Sequence, residues 1–146
     1  MSEFVQPIQK AVTWYASKGK SAPLDLLVEA RAKLSCHLFG LSGEVGEAYT
    51  GKVGSEFRRK KKFNERLIAY MNGENRMSAT AAAVPADADV AQERQDEAEW
   101  DAMYRGLWLL YDSTKEVLAA MSQQIASMKQ EKSLDLRGMG GQSATP

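Results

Sequence analysis

The chain has very little of the chemistry on which enzymes and metal sites most often depend. It contains one cysteine and one histidine in 146 residues, so it cannot form an intrachain disulfide or supply a zinc ligand set from these residues. Cys36 lies between Leu34 and Leu38, which predicts a buried structural thiol rather than a nucleophile. We therefore expect no catalysis, no metal and no cofactor, and a reducing, cytoplasmic location.

Proline is scarce as well, at four residues, and no run of about 18 apolar residues is present, which excludes a membrane span and a membrane partner. The N-terminus lacks the apolar core that is typical of a signal peptide. The residues that are abundant, Ala, Leu, Glu, Lys, Gln, Arg and Met, are good helix formers. This composition predicts an all-α protein, with one helical domain over residues 1–134.

Apolar and aromatic residues recur at alternating spacings of four and three in the second half of the chain, which keeps one helix face against a partner helix. A second column, Met103, Leu110 and Val117, widens this face, and a helix with so wide an apolar face usually contacts more than one neighbour. We therefore predict a homo-oligomer. The stripe that forms its core comprises Trp100, Tyr104, Leu107, Tyr111, Thr114, Leu118, Met121, Ile125 and Met128.

Two long helices at about 24–71 and 88–132 are expected to form an antiparallel hairpin. The first carries Leu27, Leu34, Leu38, Leu41, Val45 and Ala48 at helical spacing and continues less regularly through Val53, Phe57, Phe63, Leu67 and Tyr70. Five glycines between residues 40 and 54 predict a bend or close packing. Gly43, Gly46 and Ala48 are small enough for another backbone to approach.

The ends of the two helices are marked by turn residues. Asn72-Gly73 predicts a helix stop, and Pro85 disfavours helix at Val84 in the connector 78–86. Asp87 or Asp89 is then the expected cap of the second helix. Residues 135–146 are rich in Gly and Ser and are predicted to be a disordered tail. In the short N-terminal segment, Trp14 and Tyr15 fit either a packed helix or an exposed arm.

A dense basic run is the strongest candidate for a binding site. Residues 1–76 carry 13 basic and 8 acidic side chains, whereas residues 77–146 carry 6 and 11. Basic groups on a helix can follow a phosphate backbone, and the flanking Phe57 and Phe63 can stack on unpaired bases. The candidate DNA-binding residues are Lys52, Arg58, Arg59, Lys60, Lys61, Lys62 and Arg66.

A purely structural role for the basic run is the alternative. If the hairpin folds about residue 79, the acidic residues of 87–101 face the basic run, with Arg59 near Glu99, Lys62 near Asp96 and Arg66 near Glu93. Such pairs would fix the register of the hairpin. On this interpretation, the chain is a scaffold coiled-coil protein, for example a virion or assembly component.

Clustered carboxylates give a third hypothesis. Glu44 and Glu47, followed much later by Glu97, Glu99 and Asp101, are similar to the Mg²⁺-binding carboxylates of all-α nucleotide pyrophosphohydrolases of the MazG type. The second group lacks the E-x-x-D spacing of those enzymes, because Ala102 stands three residues after Glu99. We rank this hypothesis below the other two.

The segment from Arg66 to about Lys132 resembles the UvsY-like recombination mediators of tailed phages. The matching residues are Arg66-Leu67 and Tyr70 before the turn at Gly73, then the segment from Val84 to Val90, and an aromatic-rich helix with Trp100, Trp108 and Leu110-Tyr111-Asp112. A basic helix before the Arg-Leu pair, here residues 52–63, is also typical of the family. The glycine-rich stretch 40–54 departs from the family pattern.

The resemblance implies a ring-forming protein that is not an enzyme. Such proteins bind single-stranded DNA and help to load a recombinase onto strand covered by single-strand-binding protein, which makes both proteins expected partners. Arg66 matches the basic residue of the family's DNA-contacting motif, whereas residues 58–62 match in character and place only. For a phage-encoded chain, the expected location is the host cytoplasm.

Overall fold

The computed structural model describes residues 2–142 and is built from helices, as the composition predicts. The helices are α1 (Val5–Lys18), α2 (Leu24–Asn72), α3 (Ala79–Asp89) and α4 (Ala91–Gln142), with a single 3-10 turn at Gly19–Ser21. No strand occurs among the described residues. The long helices α2 and α4 pack against each other as a hairpin. None of the described helices has the length and apolarity that crossing a bilayer requires.

The chain divides into two compact units where the sequence predicted one domain. The first unit joins the chain up to Ser42 with the chain from Leu109 onward, and the second comprises Gly43–Trp108. Both long helices run through both units, so hydrophobic periodicity gives no sign of the division.

In the first unit, the N-terminal segment forms a packed helix, which resolves the two alternatives for Trp14 and Tyr15. Ile8 of α1 is fully buried. The Tyr15 hydroxyl donates a hydrogen bond to Gln124 Oε1 over 2.9 Å, and Gln124 Nε2 donates to the Gly19 carbonyl over 2.9 Å. The core of this unit contains Leu27, Leu34, Leu38, Leu41, Met121 and Ile125.

The predicted stripe of α4 lies on the less exposed face of the helix. Thr114, Met121 and Ile125 are buried, and the other members, Trp100, Tyr104, Leu107, Tyr111, Leu118 and Met128, are half-buried. This face packs in the hairpin of a single chain. Cys36, in contrast, is exposed, so its predicted burial is wrong; the buried positions of α2 around it are Leu34 and Leu38.

The connector between the long helices is more helical than predicted. Pro85 lies inside α3, and the Ser78 side chain caps this helix by accepting a hydrogen bond from the Ala81 amide. Proline removes one backbone donor, but Ala82, Ala86 and Val90 bury a common face at intervals of four residues, and this packing offsets the loss. Val90 alone separates α3 from α4, so neither predicted aspartate caps the second helix.

The two predicted helix ends have different outcomes. Helix α2 ends at Asn72, as the Asn-Gly stop predicts. Helix α4 continues to Gln142, so the prediction of disorder is wrong for residues 135–142. Its glycines follow one another without a proline to interrupt the backbone hydrogen bonds, and Leu134, Leu136 and Met139 are exposed. Residues 143–146 lie outside the described residues.

Candidate nucleic-acid interface

The inward face of α2 changes from apolar to polar after Ala48. Leu41, Val45 and Ala48 are buried, and the same alternating spacing then continues through Lys52, Ser55, Arg59, Lys62 and Arg66. Val53 and Phe57, which were predicted to continue the stripe, are 46% and 66% exposed. The hydrophobic pattern therefore pointed to the wrong face at Val53 and Phe57, whereas Phe63, Leu67 and Tyr70 are half-buried as it predicted.

Four carboxylates on α3 and α4 meet these basic residues, and we call the resulting arrangement the polar seam. Lys52 Nζ lies 2.7 Å from Asp101 Oδ1, Lys62 Nζ lies 2.6 Å from Glu93 Oε1, and Arg59 forms a close ion pair with Glu97. At the turn end, Arg66 Nε lies 3.9 Å from Asp89, which also accepts a hydrogen bond from the Tyr70 hydroxyl over 2.7 Å.

The predicted pairing of the two charge runs is present, but its register is different. Arg59 pairs with Glu97 rather than Glu99, and Lys62 pairs with Glu93 rather than Asp96. Asp96 and Glu99 instead accept hydrogen bonds from Gln92 and Gln95 of their own helix. The chain reverses at residues 73–78, ahead of the assumed pivot at residue 79. Each of these basic residues of α2 therefore pairs with a carboxylate that lies nearer the N-terminus of the chain than the predicted one.

The ion pairs change the proton affinities of the seam. The ammonium of Lys52 lowers the pKa of Asp101, and that of Lys62 lowers the pKa of Glu93, because each hydrogen bond favours the charged carboxylate. Asp101 in turn raises the pKa of Lys52, and Glu97 raises the pKa of Arg59. The ion pairs therefore favour the charged forms of Glu93, Asp101, Lys52 and Arg59.

The rest of the basic run faces away from the seam. Arg58, Lys60 and Lys61 are exposed, and Lys60 Nζ pairs with Glu56 of its own helix at 2.5 Å. Arg58 and Lys61 form no ion pair with any described residue. Phe57 lies within one helical turn of Lys61 and is 66% exposed. We call Phe57, Arg58, Lys60 and Lys61 the outer patch.

Two further arginines, which the sequence analysis did not select, lie near the seam. Arg105 Nε is 2.8 Å from Asp101 Oδ2, and Arg94 forms a close ion pair with Asp87. Both lie on α4, within or next to the acidic stretch. This stretch is negative overall, which obscures its cations in the sequence, although helical spacing from Asp101 and Glu97 places them beside the seam.

The aromatic residues of this unit belong mainly to its packing. The rings of Tyr49 and Tyr104 are 5.5 Å apart, and the Tyr104 and Trp108 rings stack at 6.4 Å. A Cβ added to Gly51 would overlap the Trp100 ring. Gly51 is thus a position of close approach, whereas a Cβ at Gly43 or Gly46 would meet none of the described residues.

The carboxylates that suggested a pyrophosphohydrolase do not form a cluster. Within the described part of the chain, no three His, Cys, Asp or Glu side chains are placed to hold a metal ion. Glu97 and Asp101 are instead occupied by ion pairs with Arg59 and Lys52. The geometry therefore gives no support to the third hypothesis.

Comparisons of the chain with protein-family models, with curated proteins and with solved structures give no significant match.

Proposed function

We propose that this protein binds single-stranded DNA without sequence preference and acts as a recombination mediator. The outer patch carries the proposal: Phe57 is exposed beside Arg58 and Lys61, which have no ion-pair partner among the described residues. An exposed aromatic ring stacks on any base, and adjacent cations neutralise phosphates, which is how proteins bind single strands without reading their sequence.

The proposal divides the seven predicted DNA-binding residues into two groups. Arg58, Lys60 and Lys61 contact the strand, whereas Lys52, Arg59, Lys62 and Arg66 chiefly hold the register of the hairpin. The ion pairs of the second group support this division, because side chains that are paired across two helices are less free to follow a flexible ligand. Lys60 is 61% exposed and can exchange Glu56 for a phosphate.

The role in recombination comes from the resemblance to UvsY-like mediators. In this role, the protein helps a recombinase to replace single-strand-binding protein on DNA, without catalysing a reaction itself. A cytoplasmic location is part of the same proposal. Faster loading of a recombinase onto covered single strands is the activity we expect.

A titration with fluorescent oligonucleotides at several salt concentrations tests the DNA-binding step. Each phosphate contact on a single strand contributes about −0.7 to the slope of log affinity against log salt. Replacing Arg58 and Lys61 by Ala should therefore flatten the slope by about 1.4. Phe57→Ala should weaken binding by about 1–3 kcal/mol for a stacked base while leaving the slope unchanged.

The matched control replaces Lys132 and Arg137 by Ala. Both side chains are exposed on α4 and form no ion pair with a described residue, so the net charge changes equally while the outer patch stays intact. If the wild-type protein does not bind single strands at low salt, the proposal fails. The polar seam would then support the scaffold function in its place.

We also propose that the protein forms a homo-oligomer through the outward face of α2. Gly43, Gly46, Thr50 and Val53 follow one another at spacings of three and four, and a Cβ added to either glycine would meet no other part of the described chain. Glycine inside a helix costs about 0.5–1 kcal/mol relative to Ala, and a helix of a second copy packed closely here offsets this cost. Several copies on one strand would increase avidity.

A further inference from the structure

An open groove of about 570 Å³ lies on the second unit beside the polar seam. Its lining residues are Lys52 and Arg59 from α2, with Arg94, Glu97, Ala98, Asp101 and Arg105 from α4. The size is in the range of clefts that bind small ligands or parts of larger ones. Ala98 is the one uncharged residue of this lining.

The groove has an excess of positive charge in spite of the two carboxylates. The lining holds four cations and two carboxylates, and Asp87 outside the lining pairs with Arg94, which leaves one positive charge unbalanced. Arg59 and Arg105 approach the two lining carboxylates through Nε. Among the described residues, no hydrogen bond uses their terminal Nη groups. Guanidinium groups held in this way present pairs of donors that match the oxygens of a phosphate.

The third arginine of the lining forms its ion pair with a carboxylate that lies outside the groove. Arg94 lines the groove but pairs through Nη2 with Asp87 of α3. Its side chain is 52% exposed, and that of Arg105 is 76% exposed. Pairs at such exposure are weak, so an anion entering the groove can draw both side chains toward it.

We infer that this groove binds the phosphate backbone of the DNA strand, with Arg94 and Arg105 as its principal contacts. The inference rests on the proposed function and extends the DNA-binding surface from α2 to α4. Arg94 and Arg105 are eleven residues apart, about 16 Å along the helix axis. This separation is too long for one free phosphate ion and suits two phosphates that are not adjacent on an extended strand.

The bound strand would leave the seam intact. Glu97 and Asp101 keep Arg59 and Lys52 in place, so these two side chains face the phosphates from fixed positions while Arg94 and Arg105 adjust. The groove thus adds contacts to the register residues without requiring their ion pairs to break. The carboxylates also limit affinity, since each one repels a phosphate that comes close.

The test measures affinity and salt slope for the full chain with a fluorescent single-stranded oligonucleotide. Replacing Arg94 and Arg105 by Ala should reduce the slope by about 1.4, for two phosphate contacts, and weaken binding relative to the Lys132, Arg137 double variant. Arg94→Lys with Arg105→Lys keeps the charge but not the paired donors. It should keep the slope and still bind more weakly than the wild type.

A second variant should bind single-stranded DNA more tightly instead of more weakly. Asp87→Asn releases Arg94 from its ion pair, so binding should become tighter than in the control Asp135→Asn, which removes an equal charge from an exposed position of α4. A merely structural role for Arg94 predicts no such gain. Circular dichroism of each variant checks that helicity is unchanged.

The outcomes separate this inference from the proposed function. If the Arg94, Arg105 double variant keeps the wild-type affinity and salt slope, the groove does not bind the DNA strand, and DNA binding by the outer patch still stands. A wild-type protein that does not bind the strand would overturn both. If pyrophosphate at micromolar concentration competes fully with the oligonucleotide, the groove is a site for a free anion, and its assignment to the DNA backbone is wrong.

Discussion

Arg59 pairs with one carboxylate of α4, and this ion pair sets the register of α2 against α4 in the second unit. Glu97 forms the close ion pair, whereas Glu99 accepts a hydrogen bond from Gln95 on its own helix. The two glutamates are therefore a natural comparison, because they lie two residues apart on α4 and differ in whether they contact α2.

Glu97→Gln should lower the urea midpoint of unfolding and, at the same time, increase the affinity for single-stranded DNA. The substitution leaves the Arg59 guanidinium half-buried without its counterion, which destabilises the hairpin, and it removes a charge that repels phosphate. Chemical denaturation and the oligonucleotide titration measure the two effects. Glu99→Gln is the control and should leave the midpoint nearly unchanged; equal loss in both variants would contradict this register.

Gly51 allows the close approach of Trp100, and alanine at this position should destabilise the protein. In a helix interior, Ala is normally more stable than Gly by about 0.5–1 kcal/mol. Here an added Cβ would overlap the Trp100 ring, so we expect the free energy of unfolding to fall. Gly106→Ala, where a Cβ meets nothing, should raise it. A gain of stability in Gly51→Ala would show that the ring moves aside freely.

At the scale of elements, the hairpin has two kinds of packing along α2. Up to Ala48, the inward positions are apolar and buried. Beyond it they are the buried Ser55 and the cations of the polar seam, of which Lys52, Arg59 and Lys62 are half-buried and Arg66 is exposed. The stability that comes from burying apolar groups does not depend on pH, whereas the stability that comes from ion pairs does. The seam should therefore respond to acid and to alkali differently from the rest of the hairpin.

We expect the polar seam to lose stability in acid. The pKa values of Glu93 and Asp101 are lowered from their ordinary values of 4.5 and 3.8, so their contribution is complete above these values and is lost as the pH falls through the lower folded pKa. The pKa of Lys52 is raised from 10.5, so its contribution is complete below 10.5 and is lost above it.

Thermal unfolding followed by circular dichroism at pH 7 and at pH 3 measures the acid effect. The variant Glu93→Gln with Asp101→Asn lacks the two titrating groups, so it should be less stable at pH 7 and show a smaller difference between the two pH values. If this variant shows the same pH dependence as the wild type, the loss of stability in acid comes from other carboxylates.

At the scale of the whole molecule, the proposed assembly depends on the outward face of α2. The α4 stripe packs within the hairpin, so a charge at Leu118 would disturb the fold itself and does not test association. Val53 is a better position, because it is 46% exposed in the single chain. We expect Val53→Asp to lower the mass in solution while helicity is retained.

Light scattering at micromolar concentration measures this change, with Val84→Asp as the control. Val84 is 74% exposed on α3, away from the proposed face, so the same substitution should leave the mass unchanged. A wild-type protein that is monomeric under these conditions would remove the basis for the assembly, and with it the avidity that we expect for long strands.

The sequence by itself determined the helical fold and the inward face wherever that face is apolar. The end of α2 at Asn72 follows from the Asn-Gly stop, and the alternating stripe of α4 follows from hydrophobic spacing. It also offered pairing of the basic and acidic runs as the alternative to DNA binding, because opposite charges lie on either side of the turn.

Only the tertiary structure decided which charges pair and which remain available to a ligand. Beyond Ala48, the inward positions are charged, so hydrophobicity could not identify them and assigned Val53 and Phe57 to the wrong face. The register depends on where the chain reverses and on the helical connector around Pro85, which packing stabilises against its local preference. That register holds Arg59 and Lys62 in the seam and leaves Arg58 and Lys61 exposed.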